Sequence, residues 1–479
     1  MLACQWMKDF MARRNMRKSG GRGECFEGLW ERIARNNPYY HLLMRGCHMR
    51  VGDKGEKLPK YLLFITIVIL SFSQGLKEIL FGIPIVHLGN LFCVVLFAWA
   101  LATKGPKRIL EQDLKPFVIW ITAFTLIGTV GAIIFTPGLV TYLWGLRTYF
   151  RMFLLLFDCV MILEKEDMDL LFMGFNVAIV IHFIATLIEF FFFNIRWDYL
   201  NGIFGVKMAD SSSLHALLLI NSCVILYKLY KREMPVLLFL VHMAWMTCNA
   251  AMSEIRAWFF EIVALFLIYL VASFDLKRTI ILIPVLVAMA AVAIVVMGKM
   301  YPYTDHFFGP SGFWSIMGEA HDATNYHAIG RKDQIGAMTG PILDFAKEKT
   351  GAANKLAIVT GLGLGSADYS TKSWLQSDFY LKNERLGYAS FLLCFLYIET
   401  GIAGVIVFSS MWIYLLVIGI AGMKKKHPEA FLMVLTAIAF LITTLYNQTL
   451  RTNYGYIMWI FLGTVIVLNR SKEDEKIIV

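Results

Sequence analysis

The sequence predicts an all-α polytopic membrane protein with about twelve transmembrane helices and one long external loop before the last three. Three observations predict it. Hydrophobic residues make up 58% of the 479 and charged residues 17%, and the mean hydropathy is +0.61, which leaves too little polar surface for a water-soluble globule. Apolar runs near the ~20 residues that a spanning helix needs recur between Lys60 and Arg470. The one long polar interruption among them covers residues 300–385.

In chain order the reading gives a basic N-terminal tail over residues 1–60, nine spans within 61–298, an external loop over 299–388, three spans within 389–469 and a short tail, 470–479. The tail 1–60 holds thirteen Lys or Arg against six Asp or Glu, much of the net charge of +10. Such a segment suits the anionic cytosolic face of a membrane better than nucleic acid. The first apolar run starts at Tyr61 after this long polar stretch, which is not the layout of a cleavable signal peptide. The spans are read as 61–80, 83–102, 117–135, 141–163, 170–193, 214–230, 236–251, 257–274, 280–297, 393–422, 431–450 and 455–468. Eight cysteines show no paired metal spacing and none falls within 300–385, so neither a disulfide framework nor a zinc site is expected.

Lys and Arg in short loops stay cytoplasmic, so their count on alternate sides gives the orientation. With the N-terminus inside, the inner loops hold Lys104, Lys107, Arg108, Lys115, Lys228, Lys231, Arg232, Lys277, Arg278, Lys424, Lys425 and Lys426. The short outer loops hold Arg196, Lys207, Arg451 and the boundary residue Arg256. Both termini are then cytoplasmic and the loop 299–388 is external.

Charges inside spans cost a few kcal/mol each unless they face a partner or a cavity. Arg147 and Arg151 lie four residues apart on the fourth span, on one helical face. They are either a structural pair with Asp158 or Glu189, or a clamp for a diphosphate, to which guanidinium donates two parallel hydrogen bonds. Arg256 stands at the outer end of the eighth span, where three arginines can converge beneath the loop. It can equally pair with Glu254 or Glu261. His182 and His215 read as enclosed core histidines. His306, His321 and His327, with Asp322, match no metal-ligand spacing, so no metal and no cofactor are expected. The run Gly361-Leu362-Gly363-Leu364-Gly365 lacks the Lys and Ser or Thr that end a phosphate-binding loop and reads as tight backbone geometry.

Three short patterns resemble those of the bacterial O-antigen ligase and polymerase superfamily, of the Wzy and WaaL type. Residues 253–258 are similar to its arginine-bearing element at the outer end of a span, with Arg256 at the arginine. Gly330-Arg331, Asp333-Gln334-Ile335 and then 361–366 are similar to its loop arginine and Gly-x-Gly-x-Gly pattern. Glu399-Thr400-Gly401 with Gly404 is similar to its Glu-x-Gly-x-x-Gly element at the tenth span. The resemblance covers residues 201–468 and before that rests on topology. Ligases of the superfamily place a histidine before that glutamate, whereas 387–390 reads Gly-Tyr-Ala-Ser, which favours a polymerase.

The resemblance implies a metal-independent, inverting glycosyltransferase that polymerises undecaprenyl-diphosphate-linked repeat units on the outer face of the bacterial cytoplasmic membrane. Membrane lipids and a chain-length regulator protein are its implied partners. Arg256, Arg331, Asp378 and Tyr388 are then the catalytic candidates, with Asp378 as general base, and Arg147, Arg151 and Glu399 the substrate-binding ones. Two alternatives remain open, an O-antigen ligase and a transporter or flippase of lipid-linked glycans.

Overall fold

The computed structural model describes residues 54–196, 199–205, 211–273, 328–352, 354–370 and 372–470, with scattered helical positions between 280 and 299. The basic N-terminal tail to residue 53, most of the expected span 280–297, the loop histidines and the tail after Arg470 lie outside the described residues. What is described is helical, with no strand among the described residues.

The helices are α1 (Lys54–Ser71), α2 (Ser73–Ile79), α3 (Val86–Lys104), α4 (Lys115–Phe135), α5 (Leu139–Ile162), α6 (Met168–Phe192), α7 (Ser211–Tyr230), α8 (Val236–Met252) and α9 (Arg256–Ser273). After the interruption come α10 (Gln334–Thr350), α11 (Leu356–Thr360), α12 (Asp378–Asn383), α13 (Leu392–Lys424), α14 (Glu429–Tyr446) and α15 (Tyr456–Leu468). Apart from α1, which starts at Lys54, seven residues ahead of Tyr61, each described helix matched to an expected span starts within three residues of the expected position. The protein is an all-α membrane protein: seven of its described helices are long and apolar enough to cross a bilayer, or eight if α1 and α2 form one broken span.

The count of twelve is not reached among the described residues: the expected span 280–297 lies largely outside them, and four others depart for physical reasons. The expected first span breaks at Phe72, where α1 and α2 meet at 81°, within the polar stretch Ser71-Phe72-Ser73-Gln74-Gly75. There Gly75 lies against the backbone of Ile203, room that a side chain would take. α8 has 17 residues and α15 has 13, short of the ~20 that match a bilayer core. α5 has 24 residues but carries Arg147, Arg151 and Asp158.

α7 is buried along most of its length, as is α5 from Thr148 onward. Helices that are apolar all round belong in the middle of a bundle, and here α5, α7, α14 and α15 form that middle. Lipid-facing leucines, isoleucines and valines lie exposed on α3, α4, α6 and α9.

The two ends of the bundle differ. At the end where α5 finishes, Arg108 forks onto Asp113 at 2.7 and 2.8 Å, Arg470 Nε donates to the same carboxylate at 2.9 Å, and Lys60 reaches Glu164 at 2.7 Å. Cations there are tied into ion pairs that join α1, the start of α4, the end of α5 and the end of α15. The end where α5 begins carries the site.

Candidate functional site

The site is built on a break in α13. Gly401 has φ 62° and ψ −167° in the middle of the helix, a left-handed backbone that glycine adopts without a Cβ penalty. A helix broken inside a membrane leaves carbonyls that need donors. The glycine run supplies them: Leu362 N donates to the Ile398 carbonyl at 2.7 Å and Gly363 N to the Glu399 carbonyl at 3.1 Å. Gly131 of α4 and Gly145 of α5 press on this run from the other side, backbone against backbone. The run is tight backbone geometry, as its lack of a phosphate-loop ending implied.

The same break buries Glu399 completely. Tyr149 Oη donates to its Oε2 at 2.7 Å and Gly365 N to its Oε1 at 3.1 Å. Arg451, in the loop between α14 and α15, donates Nη2 to Glu399 Oε1 at 3.1 Å and to Asp368 Oδ2 at 3.2 Å, with its guanidinium 3.9 Å from the Phe395 ring centroid. Burial alone would lower the Arg451 pKa, but Glu399, Tyr149 and Asp368 outweigh it and hold the group well above the ordinary arginine range. One cation is thus locked between two buried carboxylates and a hydroxyl donor, the arrangement that makes a buried charge tolerable.

Arg151 leans on this knot without joining its carboxylates. Its Nη1 donates to Asn453 Oδ1 at 2.5 Å and its Nη2 to the Arg451 carbonyl at 3.0 Å, and its guanidinium lies 5.4 Å from the Tyr456 ring centroid. Arg147, one turn nearer the helix start, is half-buried and stacks on Trp144 at 4.5 Å. It donates to no acceptor among the described residues. Neither Asp158 nor Glu189 pairs with these two arginines: Asp158 is enclosed deeper in α5, and Glu189 accepts from Gly202 N at 3.0 Å. Three guanidinium groups therefore face two carboxylates, and the surplus positive charge lies on the Arg147 side.

A second set of polar residues stands at the same end. His215 Nε2 and Glu261 Oε2 are 2.6 Å apart between α7 and α9, the His215 ring packs on Tyr446 at 5.4 Å, and Arg331 stacks on Tyr446 with its guanidinium 4.4 Å from the ring centroid. Gln334 Nε2 fixes the start of α10 by donating to the Leu445 carbonyl at 2.7 Å. Arg256 is held to Glu254 in the turn before α9, the second of the two arrangements open to it.

No family model matches the chain, and no curated protein matches it. Its functional residues are therefore weighed by geometry.

Of the residues singled out in sequence, Arg147, Arg151 and Glu399 lie around one knot and Arg331 packs on the neighbouring Tyr446. Asp378 does not join them. It is the first residue of α12, its side chain is 66% exposed, and it pairs with Lys349 at 2.8 Å on the loop surface. Tyr388 is fully buried and donates its hydroxyl to the Ala367 carbonyl at 3.1 Å. Burial, with Glu399 next in effect, pushes its pKa well up. Glu399 is enclosed by protein and positions Arg451 and the glycine run; it offers no free oxygen to a ligand.

Sequence reading passed over Arg451, Asp368, Tyr149, Tyr369 and Asn453. Arg451 was counted only as an outer-loop cation. Its setting in an otherwise uncharged loop of Asn447, Gln448, Thr449 and Asn453 between two apolar runs was the available signal. Tyr369, whose hydroxyl donates to Gln448 Oε1 at 3.2 Å, closes the Arg151 side of the site.

Proposed function

We propose that this protein is a membrane glycosyltransferase that extends polysaccharide chains from undecaprenyl-diphosphate-linked repeat units at the outer face of the bacterial cytoplasmic membrane. The single observation that carries the reading is the half-buried Arg147–Arg151 pair at the end where the Lys and Arg count puts the outside, with Arg147 donating to no acceptor among the described residues. A guanidinium inside a bilayer protein with no carboxylate of its own is costly, and a diphosphate satisfies it bidentately.

In this reading the acceptor hydroxyl oxygen attacks C1 of the donor sugar, the bond from C1 to the diphosphate oxygen breaks, and the electron pair leaves with the diphosphate. The hydroxyl proton is released to the aqueous side. Negative charge grows on the leaving group, so fixed guanidinium groups stabilise the transition state more than the ground state. Arg147 and Arg151 bind that group, Arg331 and Arg256 approach from the neighbouring set, and Arg451 with Glu399 and Asp368 holds the scaffold. The resemblance in residues 253–258, 330–335 and 399–404 supports the same class, and the missing histidine favours a polymerase over a ligase.

In a deletion strain, Arg256→Ala or Arg331→Ala is expected to abolish long surface-glycan ladders while the protein remains at normal level in the membrane. Near-normal ladders in both variants would overturn the assignment. A flippase reading predicts instead that repeat units fail to reach the outer face at all.

A further inference from the structure

His215 stands in the second turn of α7 and Glu261 in the second turn of α9, each on a helix whose buried face is otherwise mostly apolar. Both are enclosed, 3% and 4% exposed. Their one bond, between His215 Nε2 and Glu261 Oε2 at 2.6 Å, uses only half of what the two side chains offer. His215 Nδ1 and Glu261 Oε1 are buried as well and meet no partner among the described residues. A half-satisfied polar pair in the middle of a bundle costs stability relative to two apolar side chains of similar size. Stability therefore does not explain why the pair is there.

What the pair touches points to its role. The His215 ring packs on Tyr446, the last residue of α14, with centroids 5.4 Å apart, and the guanidinium of Arg331 lies 4.4 Å from the centroid of that same Tyr446 ring. Gln334 fixes the backbone on this seat, its Nε2 donating to the Leu445 carbonyl at 2.7 Å and to the Arg331 carbonyl at 2.9 Å. The loop arginine therefore rests on a ring, and the ring rests on a histidine whose orientation is set by its bond to Glu261. α7 also packs against the turns Thr449–Arg451 and Asn453–Gly455, which hold the Arg151 guanidinium through the Arg451 carbonyl and Asn453. One helix thus backs both the Arg331 seat and the Arg151 seat.

Resting on the function proposed above, we infer that His215, Glu261 and Tyr446 are positioning residues for Arg331, which fix its guanidinium to meet the charge that grows on the leaving diphosphate. None of the three touches the reacting atoms. A guanidinium held in place before the reaction starts stabilises that charge without reorganising, whereas an arginine side chain without a fixed seat has its rotamer freedom still to lose. The stability given up in the half-satisfied pair is the cost of that fixed geometry.

The test uses the purified full chain in lipid nanodiscs, undecaprenyl-diphosphate-linked repeat units as substrate, and the apolar double variant His215→Leu with Glu261→Leu. The double variant is expected to melt at or above the wild-type temperature, to lose about tenfold to a hundredfold in kcat for chain extension, and to keep the wild-type KM for the donor. Tyr446→Leu is expected to show the same loss of kcat, and Tyr446→Phe, which keeps the ring, to recover it. A mere structural brace predicts the reverse, a lower melting point with kcat per folded molecule unchanged. Wild-type kcat in the double variant overturns the inference, as does a loss of kcat that appears only together with a fall in melting point. Failure of the donor-site reading looks different: Arg147→Ala and Arg331→Ala would both extend chains at the wild-type rate, whereas failure of the positioning role alone leaves Arg331→Ala inactive and the double variant active.

Discussion

Arg147 and Arg451 stand at the same end of the bundle and are built for opposite purposes. Arg451 is 3% exposed, bonds two buried carboxylates and closes the scaffold. Removing it strands Glu399 and Asp368 without a counterion, and an uncompensated buried charge costs about 3–5 kcal/mol. Arg451→Ala is therefore expected to lower the thermal unfolding midpoint in detergent sharply, and an unchanged midpoint would show that the knot does not carry the fold. Arg147 makes no such bond among the described residues, so the same substitution there leaves folding intact. The two intramembrane arginines on α5 were legible in the sequence because a charge inside an apolar run is costly wherever it occurs. Arg451 was not, since a loop arginine is ordinary until the chain folds it between two acids that lie 52 and 83 residues away. Asp378, a carboxylate near the expected site in sequence, is in space a surface partner of Lys349.

At the scale of elements, the break in α13 decides where the site lies. Gly401 adopts a left-handed backbone, and a Cβ there would meet the Val359 carbonyl. A non-glycine residue in that conformation costs about 1–2 kcal/mol before any clash. Gly401→Ala is accordingly expected to straighten α13, free the glycine run from the Ile398 and Glu399 carbonyls, and expose residues 361–365 to limited proteolysis. Protection equal to wild type would contradict the kink's role. Hydrophobic runs found the seven described helices long and apolar enough to cross a bilayer, because burial in lipid depends on composition. They could not reveal the bend between α1 and α2 or the break at Gly401, which depend on what packs beside each glycine. The short α8 and α15, and the charged α5, are where counting apolar residues and observed length diverge.

Across the whole molecule the two ends of the bundle are unlike. One is pinned by Arg108, Asp113 and Arg470. Burial raises the Asp113 pKa, but Arg108 and Arg470 outweigh it and hold the carboxyl below its ordinary range. A carboxylate with a depressed folded pKa adds stability that is complete above its unfolded value, about 4, and is lost as pH falls through the folded value. Wild-type protein should therefore lose stability below about pH 4 in part through this clamp, and Asp113→Asn should be less stable at neutral pH with a shallower acid loss, as read by unfolding midpoints from pH 3 to 7. A parallel loss in both proteins would remove Asp113 from the account. The other end gathers Arg147, Arg151 and Arg451 near Glu399 and Asp368, of which Arg451 alone bonds the two carboxylates, and the proposed function rests on the charge left over. The most direct measurement is chain extension by the purified full chain from undecaprenyl-diphosphate-linked repeat units, comparing wild type with Arg147→Ala at matched melting points. The expected result is loss of all products longer than the starting repeat unit in Arg147→Ala; a polymer ladder of wild-type length from that variant would contradict the proposed site.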